Sequence, residues 1–371
     1  MRSDETLTHD QYAARASALA VELLGDPASP QLASALAFCL NRLGHPAAAV
    51  ALARRVPRIA PDLGAHLGGL AIILRECGES AAALACYRRA LVLAPSSFET
   101  MIGLTSCLAG HGEPSEATVA FGWLDRLPVS TRPEGARRKV AGSRLAHRLV
   151  RAAFGDRVRH GPFAGTAYPD NAMMHVMAPK LIGCYEAELH RAIPTLLARR
   201  YDRIVHIGSA DGYYAGGIGR LLPDVPTIAV DIDPAARAAT LATARANGLD
   251  IAVAEQFSAD LLGRRTLLVS DCEGAEVELL CGSTIDRRRI SGLIVETHPW
   301  SVADRTGEPT FEAVRQAFAP THELVAFQSN GGRSPSDFPT LAQLPRRLRP
   351  YAVFEGRGRP TPWLVGRLRS D

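Results

Sequence analysis

The pattern of apolar and polar positions divides this chain into two regimes. In the first third, apolar and small residues recur at three- and four-residue spacing, the period of amphipathic helices. Beyond about residue 200 they collect instead into short runs. Arg203–Ile207, Thr227–Val230, Asp250–Phe257, Thr266–Ser270 and Ser291–Thr297 read as strands. Helix-compatible stretches, Tyr213–Leu222 and Ala275–Cys281, fall between them. Strands alternating with helices predict an α/β domain with a parallel, doubly wound sheet. Tyr351–Gly356 and Pro362–Val365 are expected as terminal strands, Gln328–Arg349 as a loop before the seventh, and Pro179–Ala198 as a helix leading into the first.

The helical third repeats itself at 34 residues. Gly44, Gly78 and Gly112 recur, as do Ala49, Ala83 and Ala117; Pro61 and Pro95 recur, with Val129 in the third slot, and Tyr87 and Phe121 share an aromatic slot. Small residues let paired helices approach, glycine turns the chain and proline ends the second helix. The register resembles the tetratricopeptide repeat (TPR), with three units over roughly 30–131 and a leading helix near Thr8–Leu24. The domains are expected at 1–131 (TPR-like helical solenoid), 132–178 (basic linker, helix and loop) and 179–371 (α/β domain). A short solenoid of this kind implies a protein or peptide bound in its groove, or a brace or homodimer contact. Asn41, Arg75 and Arg88 are polar positions on its helices.

The densest chemistry lies at Arg203–Pro234. A strand runs into Gly208-Ser-Ala-Asp-Gly212, then a helix, then a second strand ending at Asp231. An acid about 20 residues after a glycine turn suits a carboxylate that accepts from ribose hydroxyls. The turn is not the G-x-G-x-x-G of dinucleotide sites, and Asp211 within it would repel a phosphate while suiting a cationic ligand. That disfavours a nicotinamide oxidoreductase. An ordinary βαβ unit with a structural turn is the plain alternative.

The combination HIGSADGYY, AVDID, SDCEGAEVELL and IVETHP resembles class I S-adenosylmethionine-dependent methyltransferases, most closely the FkbM-type branch, over roughly 160–370. The resemblance implies a cofactor site of Gly208, Ser209, Asp211, Gly212, Tyr213, Asp231, Ile232, Phe257 and Asp271. Gly208 to Gly212 would approach the methionine part and Asp231 would hold the ribose, with 256–258 near adenine. Tyr185 and Glu186 would close over the cofactor, or merely pack a helix and leave a solvated acid; the fold implied by the resemblance is Rossmann-like α/β, with a seven-stranded, mostly parallel, doubly wound sheet. The family usually places an acid two residues before the first glycine; this chain has His206.

Methyl transfer needs alignment and loss of a proton from the acceptor. His298 suits the base, because imidazole titrates near neutral pH. Asp271 and Glu273 would orient the acceptor or share that task. A divalent cation held by Asp271, Glu296 and His298, or a structural acid network, are the alternatives; no metal is expected. Arg333, Arg346 and Arg347 are candidates for contact with an acidic substrate, with solvated arginines as the plain reading. The implied acceptor is a hydroxyl on a sugar or natural-product intermediate. N-methylation of a peptide recruited by the repeats is a variant, and a non-catalytic interaction protein is the competing class.

Composition narrows this further. The 371 residues carry a net charge of +4, too balanced to argue for nucleic acid. No apolar run approaches membrane-spanning length. The seven cysteines form no C-x-x-C pair, which fits reduced thiols in a cytoplasmic protein.

Overall fold

A computed structural model describes residues 9–56, 64–110, 114–124, 136–169, 177–298, 310–329, 333–356 and 361–369. The chain forms two compact units, Met1–Leu149 and Val150–Asp371. The division falls inside the helix Ala136–Phe154, and the segment after it, expected as a pre-domain loop, belongs to the second unit.

After a leading helix, His9–Gly25, the first unit contains Pro30–Arg42, Pro46–Ala53, Gly64–Glu76, Ser80–Leu93, Phe98–Gly110 and Pro114–Trp123. The first helices of successive pairs begin at 30, 64 and 98, and the second at 46, 80 and 114, so the structural step is the sequence period of 34. Ala49, Ala83 and Ala117 are fully buried, and Tyr87 and Phe121 fill the aromatic slot. Tyr87 fits because Gly103 has no side chain: a Cβ there would lie 2.4 Å from the tyrosine ring. Gly44 and Gly78 turn the chain at φ +80 and +84. Pro61, Gly112 and Val129 lie outside the described residues. Asn41 donates to Glu76 at 2.6 Å and Arg88 to Glu116 at 2.9 Å, exposed pairs that contribute little to stability.

The second unit carries a seven-stranded sheet: β1 Arg203–Ile207, β2 Thr227–Val230, β3 Ile251–Ala254, β4 Thr266–Ser270, β5 Ile290–Glu296, β6 His322–Gln328 and β7 Pro362–Leu368. Their spatial order is β3-β2-β1-β4-β5-β7-β6. All pairings are parallel except those of β7, which is antiparallel to both neighbours. Inner strands covered on both faces are mainly apolar, and every residue of β4 and β5 is buried. Edge strands β3 and β6 are partly exposed. This is the doubly wound α/β domain expected from the sequence.

Three local expectations fail. The third strand stops at Ala254, so Phe257 lies beyond it. Pro179–Ala198 is not one helix but Met177–Ile182, a turn at Ala187–Leu189 and Ala192–Leu197. Gly183 and Glu186 interrupt it in the left-handed region, at φ +81 and +50, and a Cβ on Gly183 would lie 2.0 Å from the His160 carbonyl. Before β7, Tyr351–Gly356 is not a strand; the chain makes short helical turns at Pro335–Asp337, Pro339–Gln343, Arg346–Leu348 and Arg349–Ala352.

Candidate functional site

The order of strands reverses between β1 and β4: the chain winds outward through β2 and β3 on one side and continues through β4 and β5 on the other. Such a switch point leaves a crevice beyond the carboxyl ends of the strands, where ligands of this fold class bind. Gly208–Tyr213, Asp231, Ile232, Asp271, Glu273 and His298 follow those ends, Glu296 closes β5, and Tyr185 and Glu186 come from the segment before β1.

The glycine turn after β1 is tightly packed. Gly208 sits at φ +73, and a Cβ there would lie 1.7 Å from the carbonyl oxygen of Asp271. Gly212, at φ +78, lies against Thr240 of the helix Pro234–Ala246, with 2.9 Å from a Cβ to that residue's Cα. Buried Ser209 accepts from Thr240 Oγ1 at 3.1 Å. These three close the βαβ unit.

Asp211 also departs from expectation. It is buried and already holds a cation: Lys180 Nζ lies 2.9 and 2.7 Å from its two oxygens, and the Tyr168 hydroxyl donates to it as well. Lys180, itself buried, stands over the rings of Tyr168, Tyr185 and Tyr213 at 4.9–5.7 Å. Asp211 is therefore not open to a cationic ligand. Tyr213 is buried edge-on to Phe163, Tyr168, Tyr185 and Tyr214, and its burial pushes the phenol well above its ordinary value. His206, at the acid's usual place, is buried as well. Burial lowers it to about 3, Asp211 opposing and Lys180 adding to the fall, so its ring is neutral at pH 7. Its Nδ1 has no hydrogen-bond partner among the described residues.

The end of β2 differs. Asp231 accepts from the Ala210 amide at 2.8 Å and from the Asp233 amide at 2.9 Å. Each carboxylate oxygen keeps a further acceptor site, and the residue is half-buried. Ile232 beside it is 81% exposed, an apolar plate next to an acid. Phe257 is half-buried against the core of the sheet.

Beyond β4 and β5 the predicted catalytic residues do meet. Buried His298 places Nε2 3.7 Å from Asp271 Oδ1, 3.6 Å from Glu273 Oε2 and 4.0 Å from Glu296 Oε2. Its Nδ1 lies 2.6 Å from Oε1 of Glu276, which is fully buried. Burial alone would lower the imidazole. The Glu276 hydrogen bond and the charges of Glu296 and Glu273 outweigh it, and His298 is raised above its usual value. Ligand atoms of Asp271, Glu273 and His298 lie within 4.8 Å of one another, as do those of Glu186, Asp271 and Glu296. Glu186 receives the Tyr214 hydroxyl, and Glu296 that of Thr361.

Among the described residues, the non-glycine residues at positive φ are Glu186, Ala210 and Glu273, which follow or adjoin these same elements; backbone strain of this kind gathers at functional sites. Sequence reasoning gave no role to Lys180 or Glu276. The signals available were one of only two lysines in the chain and the second glutamate of Asp271-Cys-Glu273-Gly-Ala-Glu276. The Arg333 side chain is buried in ion pairs with Glu188 and, at 3.2 Å, Glu355. Arg346 lines a cavity of about 380 Å³ with Phe338 and Arg349, and none of the strand-end carboxylates borders it.

No known family matches the chain, and no curated protein matches it. Among solved structures, it is similar to a precorrin-6y C5,15-methyltransferase of Geobacter metallireducens (13% identity, 48% of this chain and 87% of that one, TM-score 0.31). It is also similar to a human methyltransferase 10 domain containing protein (13%, 62% and 97%, TM-score 0.32) and to an O-GlcNAc transferase of Thermobaculum terrenum (20%, 69% and 44%, TM-score 0.31). At such scores these likenesses carry no argument, and the fold rests on the strand order above.

Proposed function

We propose that the second unit is an S-adenosylmethionine-dependent methyltransferase of FkbM type, acting on a hydroxyl of a sugar or natural-product intermediate. One observation supports this most: the Asp231–Ile232 ledge at the end of β2 and the His298 cluster beyond β5 flank the same switch point. The residues fit the nucleoside half of the cofactor. Asp231 has acceptor sites for ribose hydroxyls, Ile232 offers a flat apolar face to adenine, and Phe257 stands beyond the neighbouring strand. For the cationic half, Asp211 already holds Lys180 and His206 is neutral; carboxylate oxygens of Asp271, Glu186 and Glu296 gather within 4.8 Å of one another. When bound, the cofactor supplies a sulfonium methyl, whose transfer leaves a neutral thioether and frees one acceptor proton.

His298 takes that proton, while Asp271 and Glu273 hold the acceptor. Base removal typically costs about 10²–10⁴-fold in rate. Release of S-adenosylhomocysteine should therefore fall by that range in His298→Asn, with cofactor affinity kept; unchanged turnover would exclude His298 as base. The helical pairs of the first unit are read as TPR-type, recruiting the acceptor or a partner, or joining two copies. A second reading, a non-catalytic interaction protein, draws on the Lys180–Asp211 pair and on neutral His206. Cofactor binding with no turnover over a broad acceptor panel would favour it.

A further inference from the structure

We infer that Glu276 is a positioning residue for the proposed reaction: it holds Nδ1 of His298 and so presents Nε2 to the acceptor. This rests on the reading of His298 as the base. Glu276 opens the short helix Glu276–Leu280, whereas His298 follows β5, and a 2.6 Å contact joins them across the sheet end. The Gly274 amide donates to the same Oε1 at 3.3 Å, which fixes the carboxylate against rotation.

The energetics favour a functional reason for this acid. Glu276 is fully buried, and its Oε2 has no hydrogen-bond partner among the described residues. Burying a carboxylate with an unmatched oxygen is unfavourable, and an apolar residue of similar volume would stabilise the core more. What the acid supplies is control of the imidazole. An ionised carboxylate only accepts, so the neutral ring must carry its proton on Nδ1 and its lone pair on Nε2.

Around Nε2 stand Asp271 and Glu273, from the loop after β4, and Glu296 of β5, at 3.6–4.0 Å. An acceptor hydroxyl placed there gives its proton to Nε2 and keeps its electron pair for the new bond to carbon. Glu276, with the three surrounding acids, stabilises the imidazolium that forms.

The test is long-range proton–nitrogen NMR of the full chain labelled with ¹⁵N-histidine, with His298 assigned by the signal lost in His298→Asn. The expected result is a neutral ring protonated at Nδ1. Glu276→Gln should then mix the two ring forms. An Nε2-protonated ring in the native protein overturns the inference. So does a Glu276→Gln variant that loses stability while the ring form stays put, the result of a purely structural role. If Glu276→Gln does not fold, Glu276→Asp serves, since it keeps the charge but withdraws it from the ring, and the native ring form decides on its own. Calorimetry with S-adenosylmethionine on the same sample separates the two readings: absent binding removes the methyl-transfer proposal and leaves the NMR result standing.

Discussion

Replacing Lys180 by methionine keeps the length and apolar stem of the side chain and removes only its charge. In the native fold both partners of the pair are nearly inaccessible, 3% and 1% exposed, and Asp211 would be left with Tyr168 alone. Breaking a buried pair from one side costs about 3–5 kcal/mol, because an uncompensated charge stays buried. A second route gives a similar figure. Protonating an ordinary carboxylate at pH 7 costs about 4 kcal/mol, which caps the loss if Asp211 escapes by taking up a proton. The same relation makes the loss shrink by about 1.4 kcal/mol for each pH unit below 7. Native-state hydrogen exchange of β1 and β4 amides, compared between pH 7 and pH 5.5, reads both quantities within the second unit. Lys180→Met with Asp211→Asn should recover much of the loss, since the double variant buries no charge. A loss below about 1 kcal/mol in Lys180→Met, or a double variant no better than the single one, would show that the pair is not what anchors Met177–Ile182 to the glycine turn.

Other perturbations follow from the same geometry. His206 is about 3 when folded and near 6.5 when unfolded, so the unfolded chain binds more protons in that window. Its neutral form costs nothing above about pH 6.5, and stability falls by up to about 1.4 kcal/mol per unit as pH drops towards 3; urea midpoints of His206→Gln should fall less steeply than those of the native protein, and parallel curves would contradict the assignment. Gly208→Ala should destabilise by about 3–5 kcal/mol, because backbone blocks the new methyl group. Gly44→Ala, at φ +80 but in open space, should lose only about 1–2 kcal/mol; equal losses in urea unfolding would refute the distinction.

The sheet was legible because its inner strands are buried on both faces and so read as unbroken apolar runs: β1, β2 and β4 begin and end where the sequence places them. The helical pairs were legible because a 34-residue register is a long-range signal that local ambiguity does not erase. The gathering of Asp271, Glu273, Glu296 and His298 followed from strand ends alone, since parallel strands bring their termini to one edge.

The partners of those residues were not legible. Sequence spacing cannot show that Lys180, from the short helix Met177–Ile182, reaches Asp211, nor that Glu276 rather than solvent holds His298. Gly208 illustrates the same limit. A glycine needed for ligand approach and one needed because Asp271 passes within 1.7 Å of a Cβ leave the same letter in the chain. The broken helix after Pro179 was missed because Glu186, an ordinary helix former, is forced to φ +50 by tertiary contacts.

The central claim is that the switch point of the second unit takes an adenosyl cofactor on the Asp231–Ile232 ledge. Isothermal titration of the full chain with S-adenosylmethionine, S-adenosylhomocysteine and NAD tests it most directly, alongside Asp231→Ala and Ile232→Asp. The account predicts micromolar binding of both adenosyl compounds, at least about tenfold weaker in either variant, and no comparable binding of NAD. Absence of adenosyl binding, or binding untouched by both substitutions, would contradict it.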